Sequence, residues 1–287
     1  MFLEIFMSLY LLSLIIGKYL RLPRYVTDAI IVILIFTISF WGFSQVKVGV
    51  IYYLGISVLI SIVVLLVTYF TGFLILKDEV HGEVKSKINF KSQLKYLIPL
   101  LAGFLASPIP LDYSLIPFDI IVDYELYLLA FVIGIDISKS LNKKSLKSVT
   151  RVAIVSVLVD FIGALLSSLL ISLLIPFKVA LMITLGSGWY SYTGPLVAKF
   201  YGPALGLVGF LSNFLREQLA FVFLPNFSKG KFSPIGAIAV GGATSMDVTL
   251  PLYVEIFNGG EYAISAMING FILTLIIPII EPLISLV

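Results

Sequence analysis

Three observations predict an all-α polytopic membrane protein. Apolar residues make up 60% of the chain and charged residues only 12%, where a soluble domain has about 45–50% and about 25%. The mean hydropathy is +1.10. The apolar residues also run continuously, whereas a membrane β-barrel shows a weak alternation. A spanning helix needs about 20 apolar residues, so 287 residues have room for about eight to ten embedded segments. No stretch is long and polar enough for a soluble domain, so 1–287 is expected to be one transport-type membrane domain. Residues 1–137 supply N-terminal helices, and 150–287 form the part with the less regular segments.

Taken in order, apolar runs lie near 2–17, 27–44, 48–76, 94–111, 119–137, 150–175, 203–225 and 262–284. Each is read as a spanning helix. In the first, Glu4 precedes the run while Lys18, Arg21 and Arg24 follow it. That order is the reverse of a cleavable signal and predicts a retained helix with its N-terminus outside. Two further stretches, 178–199 and 234–255, have centres rich in glycine, serine and threonine. The first holds Gly186-Ser187-Gly188-Trp189-Tyr190-Ser191, and the second Gly241-Gly242-Ala243-Thr244-Ser245-Met246-Asp247. Glycine and the nearby Pro195 and Pro251 disfavour a continuous helix. Irregular backbone at membrane depth is tolerated where it lines a protein-enclosed or watery cavity, and interrupted segments form the midplane sites of many secondary transporters.

Charge placement favours about eight spans plus two re-entrant segments slightly over ten spans, with both termini outside in either case. A faint repeat at an offset of 56 residues pairs Gly186 with Gly242, Thr193 with Thr249, Pro195 with Pro251 and Asn213 with Asn269. If each unit is a hairpin plus a span, the two units are inverted, as alternating access requires. The stretches 77–95 and 138–148 read as cytoplasmic loops. Asp112, Asp119, Asp123 and Glu125 read as an outside connection.

Several chemistries are absent from the sequence. It has no cysteine and a single histidine, His81, which excludes disulfides and thiolate clusters and argues against a zinc site. No metal, cofactor, nucleic-acid partner or enzymatic activity is expected.

Subtracting the loops leaves Asp136, Asp160, Arg216, Glu217 and Asp247 inside the membrane, with Asn213 and Asn269 as neutral companions. An ionisable group at bilayer depth costs about 2.5–3.5 kcal/mol, so it usually faces a cavity or a partner. Asn213, Arg216 and Glu217 have i, i+3, i+4 spacing and share a helix face. Arg216 and Glu217 themselves diverge by about 100°, so they are not an obvious ion pair. Asp247, beside Thr244, Ser245 and Thr249, suits either a helix N-cap within the break or a site acid. Asp160 suits either a third acid or a contact between helices. Asp136 is explained by its position near a helix end, and Glu4 and Glu281 read as interfacial. Membrane carboxylates without a lysine counter-ion suit a cation, a proton or both, since an arriving cation can displace a bound proton.

At these residues the sequence resembles the lysine exporter LysO family. The resemblance runs from about residue 180 onward. It rests on Gly186-x-Gly188-Trp189-Tyr190-Ser191, Asn213-x-x-Arg216-Glu217, Gly242-Ala243-Thr244-Ser245-Met246-Asp247-x-Thr249-Leu250-Pro251 and Asn269-Gly270-Phe271-Ile272-Leu273. It implies export of L-lysine and analogues such as thialysine across the cell membrane, outward termini, eight spans and two re-entrant segments. The family's intramembrane acidic pair maps onto Glu217 and Asp247. Asn269 stands where many relatives carry histidine, which departs from an imidazole proton relay. The expected site comprises Glu217, Asp247, Asn213, Thr244, Ser245, Ser187, Gly188, Tyr190, Ser191 and Asn269, with Arg216 and Asp160 supporting. Protons are the expected coupling ion, with sodium as the other choice. A monovalent cation/proton antiporter would use the same carboxylates. An intramembrane aspartyl protease fits less well: Gly134-Ile135-Asp136 resembles part of its motif, but the Gly-x-Gly-Asp pattern is missing.

Overall fold

A computed structural model describes residues 2–46, 49–76, 78–79, 90–109, 115–140, 150–228, 231–257 and 260–286. Its helices follow the apolar runs: α1 Phe2–Ile16, α2 Arg24–Gln45, α3 Val50–Ile75, α4 Phe90–Ala106, α5 Phe118–Ser140, α6 Arg151–Ile171, α7 Phe177–Leu185, α8 Tyr190–Tyr201, α9 Pro203–Phe227, α10 Pro234–Gly241, α11 Leu250–Ile256 and α12 Gly260–Ile284. A 3-10 turn, Gly242–Met246, follows α10. Two-residue strands β1 Asp78–Glu79 and β2 Lys231–Phe232 pair antiparallel, with Asp78 opposite Phe232. His81, Asp112, Lys143, Lys144 and Lys147 lie outside the described residues.

Helix starts follow local chemistry. Thr150 caps α6 by accepting the Ala153 N–H at 3.0 Å, and Ser233 caps α10 by accepting the Gly236 N–H at 3.0 Å. Each hydroxyl satisfies one of the N–H groups that a helix start leaves open. Pro234 then occupies the first turn of α10, where its missing N–H costs nothing.

Among the described residues, five helices are long and apolar enough to cross a membrane, within α2, α3, α6, α9 and α12. Large apolar side chains point outward, with Ile51 and Leu74 each 87% exposed and Leu173 85% exposed. In water these faces would be costly; in a bilayer they meet hydrocarbon.

The chain divides into two compact units that interleave along the sequence. The first comprises Met1–Ile56, Asn89–Leu141 and Ser191–Leu211. Within it α1 packs on α5, and α2 on α4 and α5. Small residues set the spacing: a Cβ on Gly134 would lie 1.8 Å from Ser13 Oγ, and one on Gly103 would lie 2.7 Å from Ser39 Cβ. Membrane helices approach closely in this way because packing, rather than water exclusion, drives their association. Lys199 pairs with Asp123 at 2.6 Å and lies 5.4 Å from the centre of the Phe2 ring.

The second unit comprises Ser57–Ile88, Asn142–Tyr190 and Ser212–Val287. Here α6 packs against α7, α10 and α12, and α12 lies along the 3-10 turn. A buried cluster of Leu65, Tyr69, Leu224, Phe232, Ile238, Leu252 and Tyr253 joins α3, α9, β2, α10 and α11.

Four expectations are corrected. Asp119, Asp123 and Glu125 are not in a connecting loop, because α5 starts at Phe118. Glu125 is buried, with its Oε1 2.7 Å from Thr37 Oγ1. The polar stretch 77–95 is helical from Phe90 onward, since α4 extends past the apolar run into Lys91 and Lys95. Asp136 is held across helices, accepting from Thr27 Oγ1 at 2.7 Å. Glu281 is fully buried rather than interfacial.

A Cβ on Gly72 would lie 2.3 Å from Gly236 Cα, so α3 and α10 touch backbone to backbone. Gly72→Val is therefore expected to force them apart at a cost of about 1–3 kcal/mol. The check is the midpoint of thermal unfolding in detergent, and an unchanged midpoint would contradict this contact.

Candidate functional site

Both stretches expected to be irregular are interrupted. The first breaks between α7 and α8 at Gly186–Trp189, and the second between α10 and α11 at Gly242–Thr249. At the breaks the backbone enters the left-handed region, with φ of 50° at Ser187, 84° at Gly188 and 55° at Gly242. Glycine adopts such angles freely, whereas Ser187 does so at a steric cost.

The two breaks touch. The Ala243 N–H donates to the Ser187 carbonyl at 2.9 Å. A Cβ on Gly242 would lie 2.3 Å from that carbonyl oxygen, and one on Gly188 would lie 3.6 Å from Thr244 Cγ2. A side chain at Gly242 would therefore push the segments apart, whereas at Gly188 it would meet Thr244 at ordinary contact distance.

An interrupted helix leaves carbonyls at its C-terminal end without N–H partners, and at membrane depth water does not supply them. Arg216 of α9 does. Its Nε donates to the Val240 carbonyl at 3.0 Å and its Nη2 to the Ala239 carbonyl at 2.9 Å. A cation is also favoured at the negative end of the α10 dipole. Tyr253 Oη donates to the Ala237 carbonyl at 2.8 Å. Asp160 of α6 balances the guanidinium, with its Oδ1 2.5 Å from Arg216 Nη2. The other oxygen, Oδ2, accepts from Ser187 Oγ. Arg216 and Asp160 are 2% and 0% exposed, so this ion pair is buried on both sides.

Two asparagines hold one break each. Asn213 accepts the Gly188 N–H at 2.8 Å and donates to the Ile183 carbonyl at 2.9 Å. Asn269 donates to the Gly242 carbonyl and to Ser245 Oγ, both at 3.1 Å. Ser245 in turn donates to the Ala266 carbonyl at 2.7 Å. The Thr244 carbonyl accepts from the Asp247 N–H at 3.2 Å and the Thr249 N–H at 3.0 Å, closing the turn around Asp247. A Cβ on Gly270 would lie 2.5 Å from Met246 N, so α12 rests directly on this turn.

The structure thus gathers Ser187, Gly188, Asn213, Thr244, Ser245 and Asn269 around the two breaks, with Asp160 and Arg216 beneath them. Tyr190 follows the first break, its ring edge-on to Phe214 at 5.4 Å. Ser191 falls in the other compact unit. The two acids differ. Glu217 is buried on α9 and accepts from Gln218 Nε2 at 3.0 Å. Asp247 is exposed, and its Oδ1 accepts the Val248 N–H at 2.6 Å. It does not cap α11; the N-cap position there is Thr249.

Sequence reasoning did not join Asp160 to Arg216, although the signal was present: two opposite charges on separate spans, each without a partner on its own helix. The bond from Tyr253 had no such signal. Among the described residues no three His, Cys, Asp or Glu side chains come together as a metal site.

Interrupted helices braced against each other within exposed apolar faces define a multi-pass helical membrane protein. The family model of the lysine exporter LysO matches residues 97–285, and the chain belongs to that family. The lysine exporter LysO of Escherichia coli (strain K12) is 34% identical over 164 residues, covering 55% of this chain and 52% of that protein. A Haemophilus influenzae protein, provisionally named a lysine exporter, is 28% identical over 165 residues, covering 55% of this chain and 80% of that one. The match therefore spans about half the length of the E. coli relative. No solved structure matches the chain.

Asp160→Ala would leave the Arg216 charge buried without its partner, an expected loss of about 3–5 kcal/mol. Adding Arg216→Met should recover part of that loss, because the uncompensated charge is then gone. Thermal unfolding of the single and double variants checks this. A double variant less stable than Asp160→Ala would contradict it.

Proposed function

We propose that this protein exports L-lysine, and close analogues such as thialysine, from the cytoplasm in exchange for protons. The observation that carries this reading is the pair of helix breaks held against each other through Ser187 and Ala243, with Glu217 and Asp247 on the adjoining segments. Membership of the LysO family and the names of the two relatives support lysine as the substrate.

In this reading Glu217 and Asp247 take the two ammonium groups of lysine, or the protons exchanged for them. Hydroxyls and amides around the breaks, from Ser187, Gly188, Tyr190, Thr244 and Ser245, receive the carboxylate, as N–H groups at helix starts do for anions. Asn213 and Asn269 keep the two breaks in shape, and Asp160 and Arg216 hold the end of α10. On the cytoplasmic side the arriving ammonium displaces a proton from a carboxyl group. On the outer side a proton returns to the carboxylate and releases the substrate. About eight spans, outward termini and two re-entrant segments forming inverted repeats belong to the same reading.

Lysine counterflow in proteoliposomes tests it. Glu217→Gln and Asp247→Asn each remove a charge-assisted bond of about 1.5–3 kcal/mol. Each is expected to weaken lysine binding about ten- to a hundredfold. Undiminished counterflow by both variants would remove the site assignment. Uptake into inverted vesicles driven by an imposed sodium gradient, and not by a pH gradient, would remove proton coupling.

A further inference from the structure

Outside the two breaks, in the first compact unit, one buried acid has no part in the proposed exchange. Glu125 of α5 is 9% exposed. Its Oε1 lies 2.7 Å from Thr37 Oγ1 of α2, and its Oε2 has no hydrogen-bond partner among the described residues. On the same face, one turn to either side, Val122 and Leu129 are both fully buried. The carboxyl group therefore sits in an apolar stripe with a single polar neighbour.

Thr37 Oγ1 also lies 3.1 Å from the Ile33 carbonyl. A carbonyl only accepts, and a threonine hydroxyl carries one proton. If that proton goes to Ile33, the contact with Glu125 needs a proton on the carboxyl group, donated to Thr37. If Glu125 is ionised, the hydroxyl must turn away from Ile33 and donate to the carboxylate. The same three groups thus accommodate two protonation states by rotation of one hydroxyl.

Among the described residues, no cation pairs with Glu125. Besides α8, whose Lys199 is held by Asp123, the helices packed most on α5 are α1 and α2. Their titratable groups are Glu4 and Tyr10 on α1, and Arg24, Tyr25 and Asp28 on α2. The α2 groups lie more than two turns from Thr37, and Asp28 pairs with Lys95. On α5 itself, Asp123 holds Lys199 and Asp136 accepts from Thr27. Asp119, Tyr124, Tyr127 and Lys139 complete the titratable groups of that helix. An unpaired carboxylate in an apolar site is costly and takes up a proton instead.

We propose that Glu125 is a second proton-binding site, separate from Glu217 and Asp247, carrying a proton in this conformation with Thr37 as its hydroxyl switch. The expected signature is a pH-dependent carboxylic C=O band in infrared difference spectra of the full-length protein in lipid. One component of that band, distinct from those of Glu217 and Asp247, should vanish in Glu125→Gln. It should shift in Thr37→Val, and it should not shift in Thr37→Ser, which keeps the hydroxyl. A difference spectrum that Glu125→Gln leaves unchanged, or a component that moves equally in both Thr37 variants, overturns the proposal. If Glu125→Gln does not fold, the two Thr37 variants decide it. The second readout rests on the lysine-export reading: the pH profile of lysine counterflow should lose one limb in Glu125→Gln, and an unchanged profile also overturns the proposal. A wild-type protein without lysine flux would refute the export reading and leave the infrared test intact.

Discussion

The second compact unit depends on one requirement: a helix that stops inside a membrane must find donors for its last carbonyls. At the end of α10 the donors are the Gly242 N–H, Thr244 Oγ1 and, for the Val240 carbonyl, Arg216. A buried guanidinium needs a counter-charge, which Asp160 provides. Asp160 then binds Ser187, the one described non-glycine residue in a left-handed backbone conformation. The Ser187 carbonyl accepts from Ala243, the second residue of the turn that follows α10. The sequence of contacts therefore closes on itself, from one break through two spans to the other. Removing any member leaves another polar group unsatisfied where water is scarce.

The two breaks are held by similar means with different geometry. Asn213 braces the first through an N–H and a carbonyl, and Asn269 braces the second through a carbonyl and a hydroxyl. An amide side chain suits this work because it donates and accepts at once and carries no charge to bury. Gly186 and Gly242, paired by the 56-residue offset, each follow the last residue of a half-helix, but only Gly242 has a positive φ. Glycine also sets how closely the segments approach, since a side chain at Gly242 would clash with the Ser187 carbonyl.

Much of the fold was legible from the sequence, because helix positions follow apolar run length. The run 203–225 became Pro203–Phe227, and 262–284 became Gly260–Ile284. The breaks were legible as well, since Gly186-Ser187-Gly188 and Gly241-Gly242 cannot sustain a helix cheaply. Legibility failed where charge and burial disagree. Asp119, Asp123 and Glu125 look like a solvated loop by composition, yet they are helical, and Glu125 is buried against a threonine 88 residues away. Glu281 looked interfacial from its place near the chain end and is fully buried. For Glu125 a partner distant in the sequence decides the outcome, and no local pattern encodes it.

The sequence alone determined that this is a helical membrane protein, where its two helices break, and which few polar residues lie within the apolar segments. These follow from hydropathy and backbone preference, which act over neighbouring residues. The tertiary structure alone decided that Arg216 reaches Asp160 and the carbonyls of α10, that Ser187 meets Ala243, and that Asp247 is exposed while Glu217 is buried. Those outcomes depend on which helix lies beside which, a matter of close packing between segments far apart in the chain.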